Sequence, residues 1–346
     1  MRLSALGPSR RAFLQGSLAL AGVGLLAGCG IAPPAAKRPP KVPRIGFLCT
    51  TCSSSFRGPP PSGSFLATFV DVLRDLGHVD GETFVIEYRG AEGVNERLPD
   101  LAAELASHEV DVIMTSASPA TLAAKQATST IPIVFIAVGD PVGIGLIASY
   151  ARPGGNLTGT TNFSPETNAK RLQLLKETVP GVARVDVVWN FANPSIPPEW
   201  EEAQAGARQL GPTLQPRDVR GPAQIEEAFQ AIAAARPDAI LVSGEPILFG
   251  SRARLAELAA TMRLPAMYVG REFVEAGGLM SYASDVHDLF RQAAVFVDKI
   301  LRGAKPADLP VERPTKFDLA VNLKTAQALG LTIPQSVLLQ ATELIQ

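Results

Sequence analysis

The chain has 346 residues, 46% hydrophobic and 19% charged, with 32 basic residues against 33 acidic ones for a formal net charge of −1. That length accommodates two domains of ordinary size with a sizeable core, and the apolar fraction is too high for a disordered chain. The neutral balance argues against nucleic acid as a partner, which would require a basic face to neutralise phosphates.

Residues 1–28 read as an export signal. Arg2, Arg10 and Arg11 form a positive n-region, and a short apolar stretch over 13–27 follows. The ending Leu26-Ala27-Gly28-Cys29 resembles a bacterial lipobox, which implies cleavage before Cys29 and lipidation of its thiol. Ser9-Arg10-Arg11-Ala12-Phe13-Leu14-Gln15 resembles the twin-arginine motif with Gln where Lys is usual, so export by the twin-arginine or the Sec route is expected. Residues 29–43, Pro-rich and without apolar period, read as the acylated Cys and a stiff tether. The body is therefore expected at the cell envelope, facing the periplasm or the exterior, with an acyl anchor as its only hold on the membrane.

From residue 44 onward, short apolar runs alternate with Ala- and Leu-rich stretches of helical length. Strands are predicted at 45–48, 84–88, 110–114 and 133–136, with helices over 65–76, 97–107 and from 120. A second set follows: a helix over 170–178, a strand over 184–189, a helix over 199–210 and a strand near 213–217. Then come a helix over 223–235, a strand over 239–242 and helices over 252–262 and 289–301. Continuous apolar strands separated by helices imply parallel βαβ units covered on both sheet faces, here in two α/β halves.

Ligands of open parallel sheets bind beyond the carboxyl ends of the strands. The loops there carry Thr50 and Ser53, Ser116 and Ser118, Asp140, Asn190 and Asn193, and Ser243 and Glu245. Helix N-capping alone selects such residues, but facing polar loops also suit a small polar or zwitterionic ligand. Asp140, fixed by Pro141, is the candidate partner for a ligand cation. Ser116 and Ser118 are the candidate donors to a carboxylate.

Several stretches together resemble the TrpX-like family of substrate-binding proteins of ABC transporters. They include Glu87-Tyr88-Arg89-Gly90-Ala91-Glu92-Gly93, Gly139-Asp140-Pro141-Val142, Arg152-Pro153-Gly154-Gly155-Asn156-Leu157-Thr158-Gly159, Glu275-Ala276-Gly277-Gly278-Leu279-Met280-Ser281-Tyr282 and Pro314-Thr315-Lys316-Phe317-Asp318. The resemblance spans 44–346. It implies an α/β type I periplasmic-binding-protein fold, with two Rossmann-like lobes, parallel sheets and a three-crossover hinge. Crossovers are expected near 154–159, 279–284 and 311–317, giving an N-lobe of 44–157 plus 282–311 and a C-lobe of 158–281 plus 312–346, and Tyr282, at the second of them, is placed to stack on or cap the ligand. It further implies a small polar ligand, amino acids and aromatic ones included, delivered to ABC permease and ATPase subunits, with no cofactor and no catalysis.

Cys49-Thr50-Thr51-Cys52 departs from the Ser-rich loop usual in relatives. In an oxidising envelope the pair is expected as a local disulfide, with two buried thiols or a redox C-x-x-C centre as alternatives. No metal is expected, because His78, His108 and His287 form no spaced cluster. Gly143-Ile144-Gly145-Leu146-Ile147-Ala148 matches a dinucleotide fingerprint, but no acid-ended strand follows at the required distance, so helix–sheet packing is its expected role. A ligand-sensing subunit of a membrane sensor is the alternative function, with a redox or Rossmann-type enzyme behind it.

Overall fold

In the computed structural model, which describes residues 42–53, 56, 58–162 and 166–346, the apolar runs become strands and the stretches between them helices. The signal segment, Cys29 and the tether up to residue 41 lie outside the described residues. The first half runs β1 (Arg44–Cys49), α1 (Phe65–Asp75), β2 (Val85–Gly90), α2 (Leu98–Ser107), β3 (Val112–Ser116), α3 (Ala117–Ala127), β4 (Ile133–Val138) and β5 (Leu157–Thr161). The second runs α4 (Glu166–Thr178), β6 (Arg184–Trp189), α5 (Ile196–Leu210), β7 (Thr213–Asp218), α6 (Ile225–Ala235) and β8 (Ala239–Val242). It continues with α7 (Pro246–Gly250), α8 (Arg252–Thr261), β9 (Ala266–Tyr268), α9 (Arg271–Glu275) and β10 (Met280–Ala283). The chain closes with α10 (Val286–Leu301), β11 (Asp318–Asn322), α11 (Leu323–Leu329), α12 (Gln335–Leu338) and β12 (Glu343–Ile345).

Two sheets result. The N-lobe sheet has the order β2-β1-β3-β4-β5 and is parallel throughout. The C-lobe sheet has the order β12-β11-β10-β9-β8-β6-β7 and is parallel except where β10 meets β11. Because strand side chains alternate, each sheet feeds two cores. Phe47, Met114 and Val134 pack under α1 and α10 on one face of the N-lobe sheet, while Leu48, Ile113 and Phe135 pack under α2 and α3 on the other. In the C-lobe, Val187, Trp189 and Leu241 belong to one core, and Val188, Ile240 and Val242 to the opposite one. Each such fully buried side chain contributes about 1.5–3 kcal/mol, which is why the runs are apolar without a polar face.

The chain passes between the lobes three times. β5 pairs with β4, so the first passage follows Thr161 and not the expected 154–159. Gly154 and Gly155, at φ 72° and 62°, make the tight turn that leads into β5 instead. β10 pairs with β9 and β11, so Tyr282 and Ala283 belong to the C-lobe sheet and the second passage follows Ala283. α10 then packs on α1, β4 and β5 of the N-lobe. Its start is set by Asp285, whose side chain accepts from the His287 backbone N–H at 2.8 Å. The third passage lies between Glu312, bridged to Thr160, and Asp318. The residues from Gly143 to Ala148 form turns and no helix, so helix–sheet packing does not explain their glycines and no helix N-terminus stands there for a dinucleotide.

Candidate ligand-binding cleft

In each sheet the strand order reverses beside the strand that comes first in its half of the chain, between β1 and β3 and between β6 and β8. Loops after those strands diverge and leave a crevice at their carboxyl ends. The two crevices face one another around a cavity of about 420 Å³. The lobes touch across it. The hydroxyls of Ser118 and Ser195 lie 2.6 Å apart, and the rings of Phe65 and Phe249 are 5.6 Å between centroids.

One wall is apolar. Phe47, Phe56 and Tyr88 line it, with Phe56 set edge-on to Tyr88 at 4.8 Å, and Phe65 stacks on Phe290 at 5.6 Å. Burial pushes the Tyr88 phenol up to about 12, so it stays neutral. The lining also includes two non-glycine residues in the left-handed region, Ala117 at φ 65° and Ala137 at φ 53°. Each stores strain of about 1–3 kcal/mol at the point where the backbone bends around the cavity.

Polar and charged groups from both lobes share the lining. Ser53, Ser116, Ser118, Asn193, Ser243 and Glu245, all expected from the strand-end loops, line the cavity. Ser118 also accepts from the Gly139 N–H at 3.3 Å, so its hydroxyl joins the two lobes. The Ser243 hydroxyl is buried and makes no hydrogen bond among the described residues. Glu245 caps α7 by accepting from the Leu248 N–H at 2.8 Å and accepts from the Asn190 amide at 3.2 Å.

Four expected residues sit elsewhere, each for a local reason. Asp140 does not line the cavity: its carboxylate accepts from the Gly143 N–H at 2.9 Å and hydrogen-bonds the Tyr150 side chain, which makes it the cap of a turn. Asn190 is fully buried and braces Glu245 from behind. Thr50 is buried inside its loop, where its carbonyl accepts from Gly93 at 2.8 Å. Tyr282 stacks on Phe317 at 5.7 Å, and it is Phe317 that reaches the cavity. Cys49 and Cys52 form a disulfide, and both line the cavity. Their loop is fastened to the end of β2 by the Ala91 N–H donating to the Cys49 carbonyl at 2.9 Å.

The loop-based reading misses the charged residues that α4 and α5 bring to the cleft, above all Arg171 and Glu199. Burial pushes the Glu199 carboxyl up to about 7 against the pull of Arg171, and lowers Arg171 to about 10. Burial likewise pushes Glu245 up to about 7, against its bonds from Leu248 and Asn190. A carboxyl raised above its ordinary value near 4.5 contributes stability that is complete below that value and lost as pH rises through about 7. Wild-type protein is therefore expected to lose stability relative to Glu245→Gln between about pH 5 and about pH 8. Thermal midpoints of the two proteins at both pH values check this, and a difference independent of pH would sink it.

No helix among the described residues is long and apolar enough to cross a membrane, and no group of His, Cys, Asp and Glu among them could hold a metal ion. Residues 64–345 match the family model described as ABC transporter substrate binding protein. The chain belongs to that family. Its members are non-enzymatic, extracytoplasmic proteins that bind a small molecule for an ABC transporter. A conserved domain protein of Vibrio cholerae O1 biovar El Tor is 28% identical, with 88% of this chain and 100% of that chain covered and a TM-score of 0.80. An ABC domain from Streptococcus pneumoniae in complex with L-Trp is 27% identical, with 88% and 99% covered and a TM-score of 0.79. A tyrosine-binding protein of Clostridioides difficile (strain R20291) is 24% identical over 263 residues, which are 76% of this chain and 75% of that one. The two-lobed architecture with mainly parallel sheets is the type I periplasmic-binding-protein fold.

Proposed function

We propose that the protein is an aromatic amino-acid receptor, anchored through an acylated Cys29 and delivering its ligand to an ABC permease. The observation that carries this reading is the mixed lining of the cleft. A cavity of about 420 Å³ is lined both by phenyl and phenol rings and by hydroxyl, amide and charged groups. An aromatic side chain matches the rings, because ring pairs in edge or offset geometry add about 0.5–1.5 kcal/mol each beyond the area they bury. A zwitterionic head group matches the polar groups, which when buried and left unpaired would otherwise cost about 1–3 kcal/mol apiece. The L-Trp complex of the pneumococcal relative and the tyrosine-binding relative support the same class of ligand. Of the loop residues, Ser53, Ser116, Asn193, Ser243 and Glu245 are the ones proposed to meet it.

Titration calorimetry of the exported body against L-tryptophan, L-tyrosine, L-phenylalanine, L-leucine, L-glutamate and ribose tests the reading. Binding of at least one aromatic amino acid in preference to the other three compounds is expected. Absent binding of all three aromatic ligands, or binding of leucine, glutamate or ribose as tight as theirs, would overturn it.

A further inference from the structure

We propose that Arg171 and Glu199 hold the two charges of a zwitterionic ligand, the guanidinium taking its carboxylate and the Glu199 carboxylate taking its ammonium. The assignment rests on the amino-acid reading above and places the head group on the hinge side of the cleft.

The hydrogen bonds around these two groups leave them with unused capacity. Arg171 donates from Nε to the Tyr282 carbonyl at 2.8 Å and from one terminal nitrogen to Asn168 Oδ1 at 2.8 Å. Its other terminal nitrogen makes no hydrogen bond among the described residues. The Glu199 carboxylate makes none among them either; only its backbone carbonyl is engaged, by the Asn168 amide at 3.3 Å. Both side chains line the cavity, and they attract one another without forming a direct ion pair within 4.0 Å. Two opposite charges, half-buried and held apart, are costly unless each finds a partner. A ligand carrying both charges satisfies both at once. Of the other charged candidates from the strand-end loops, Asp140 is engaged with Gly143, and Glu245 with Leu248 and Asn190.

The position of the pair is set by the hinge. Asn168 lies in the first turn after the first passage between the lobes, Tyr282 immediately before the second, and Phe317 at the end of the third. Arg171 grips the first two, and the Tyr282 ring stacks on Phe317. From the C-lobe, Glu199 reaches towards the N-lobe, with Oε1 3.2 Å from where a Cβ on Gly139 would stand. The head-group site is thus completed as the lobes meet.

The test measures L-tryptophan, tryptamine and indole-3-propionate by calorimetry against wild type, Arg171→Gln and Glu199→Gln. In wild type, tryptamine (no carboxylate) and indole-3-propionate (no ammonium) are each expected to bind about 10- to 100-fold more weakly than L-tryptophan, the loss typical of one charged hydrogen-bonded contact. Arg171→Gln is expected to lose that factor for L-tryptophan while binding tryptamine as wild type does. Glu199→Gln is expected to do the same with indole-3-propionate as the unaffected ligand. If a variant weakens L-tryptophan and its unaffected analogue in parallel, the residue is a brace and the proposal is overturned, as it is if the variants bind L-tryptophan normally. Wild type that binds no aromatic amino acid overturns the receptor reading instead, and this assignment with it. Should Arg171→Gln fail to fold, Glu199→Gln carries the test, because its carboxylate holds no other described residue in place.

Discussion

Replacing Gly139 with alanine is expected to lower ligand affinity by about 5- to 150-fold while leaving the ligand-free protein almost as stable as wild type. Gly139 stands at the carboxyl end of β4, where the N-lobe meets the C-lobe. A Cβ there would lie 2.5 Å from both Cβ and Oγ of Ser195 and 3.2 Å from Glu199 Oε1. All three atoms belong to the other lobe. The backbone at Gly139 is outside the left-handed region, so alanine adds no local strain. The clash is therefore confined to the closed arrangement, and opening the lobes relieves it. Overpacking of this kind costs about 1–3 kcal/mol, and because it is met only on closure the whole of it is subtracted from binding. Calorimetry with the best ligand of wild type measures the loss, and small-angle scattering with saturating ligand is expected to show lobes less tightly closed. Wild-type affinity in Gly139→Ala would mean that the Ser118–Ser195 approach is not part of the bound state.

What could be read from the sequence divides along physical lines. The central strands were legible because a parallel sheet buried on both faces demands unbroken apolar runs, as Ile45 to Leu48 and Ala239 to Val242 provide, whereas β5 and β9 to β12, short or set beside the hinge, were not read as strands. The cleft loops were legible because strand carboxyl ends at a reversal of strand order must diverge, whatever residues they carry. Arg171 and Glu199 were not. They lie inside amphipathic helices, where a charged residue facing a cleft has the same spacing as one facing water, and only the packing of α4 beside α5 separates the two cases. Asp140 misled in the opposite direction. A carboxylate at a strand end suits a ligand cation and an N–H three residues on equally well, and here Gly143 supplies the N–H. The first passage between lobes was placed too early for a related reason: Gly154 and Gly155 signal a left-handed turn without saying whether a strand or a hinge comes next.

The largest loss of stability is expected from Gly159→Ala, at about 4 kcal/mol. Gly159 pairs in register with Phe135 where β4 and β5 run side by side, just before the register shifts towards Val138. The shift draws the two backbones together. A Cβ on Gly159 would stand 1.9 Å from the Phe135 carbonyl oxygen and 2.7 Å from its nitrogen, both main-chain atoms that no rotamer change can move. Its φ of 151° adds a second penalty, since that region is nearly confined to glycine. Phe135 is itself fully buried in the N-lobe core, so any retreat of its backbone opens that core. Gly154→Ala provides the control: at φ 72° it has the unfavourable backbone but nothing within 4 Å of the new Cβ, and about 1 kcal/mol is expected. At roughly 2–4 °C per kcal/mol, the midpoint should fall by about 8–15 °C for Gly159→Ala and by only a few degrees for the control. Equal losses in the two variants would show that backbone conformation, and not the close approach of β4 to β5, is what the glycine serves.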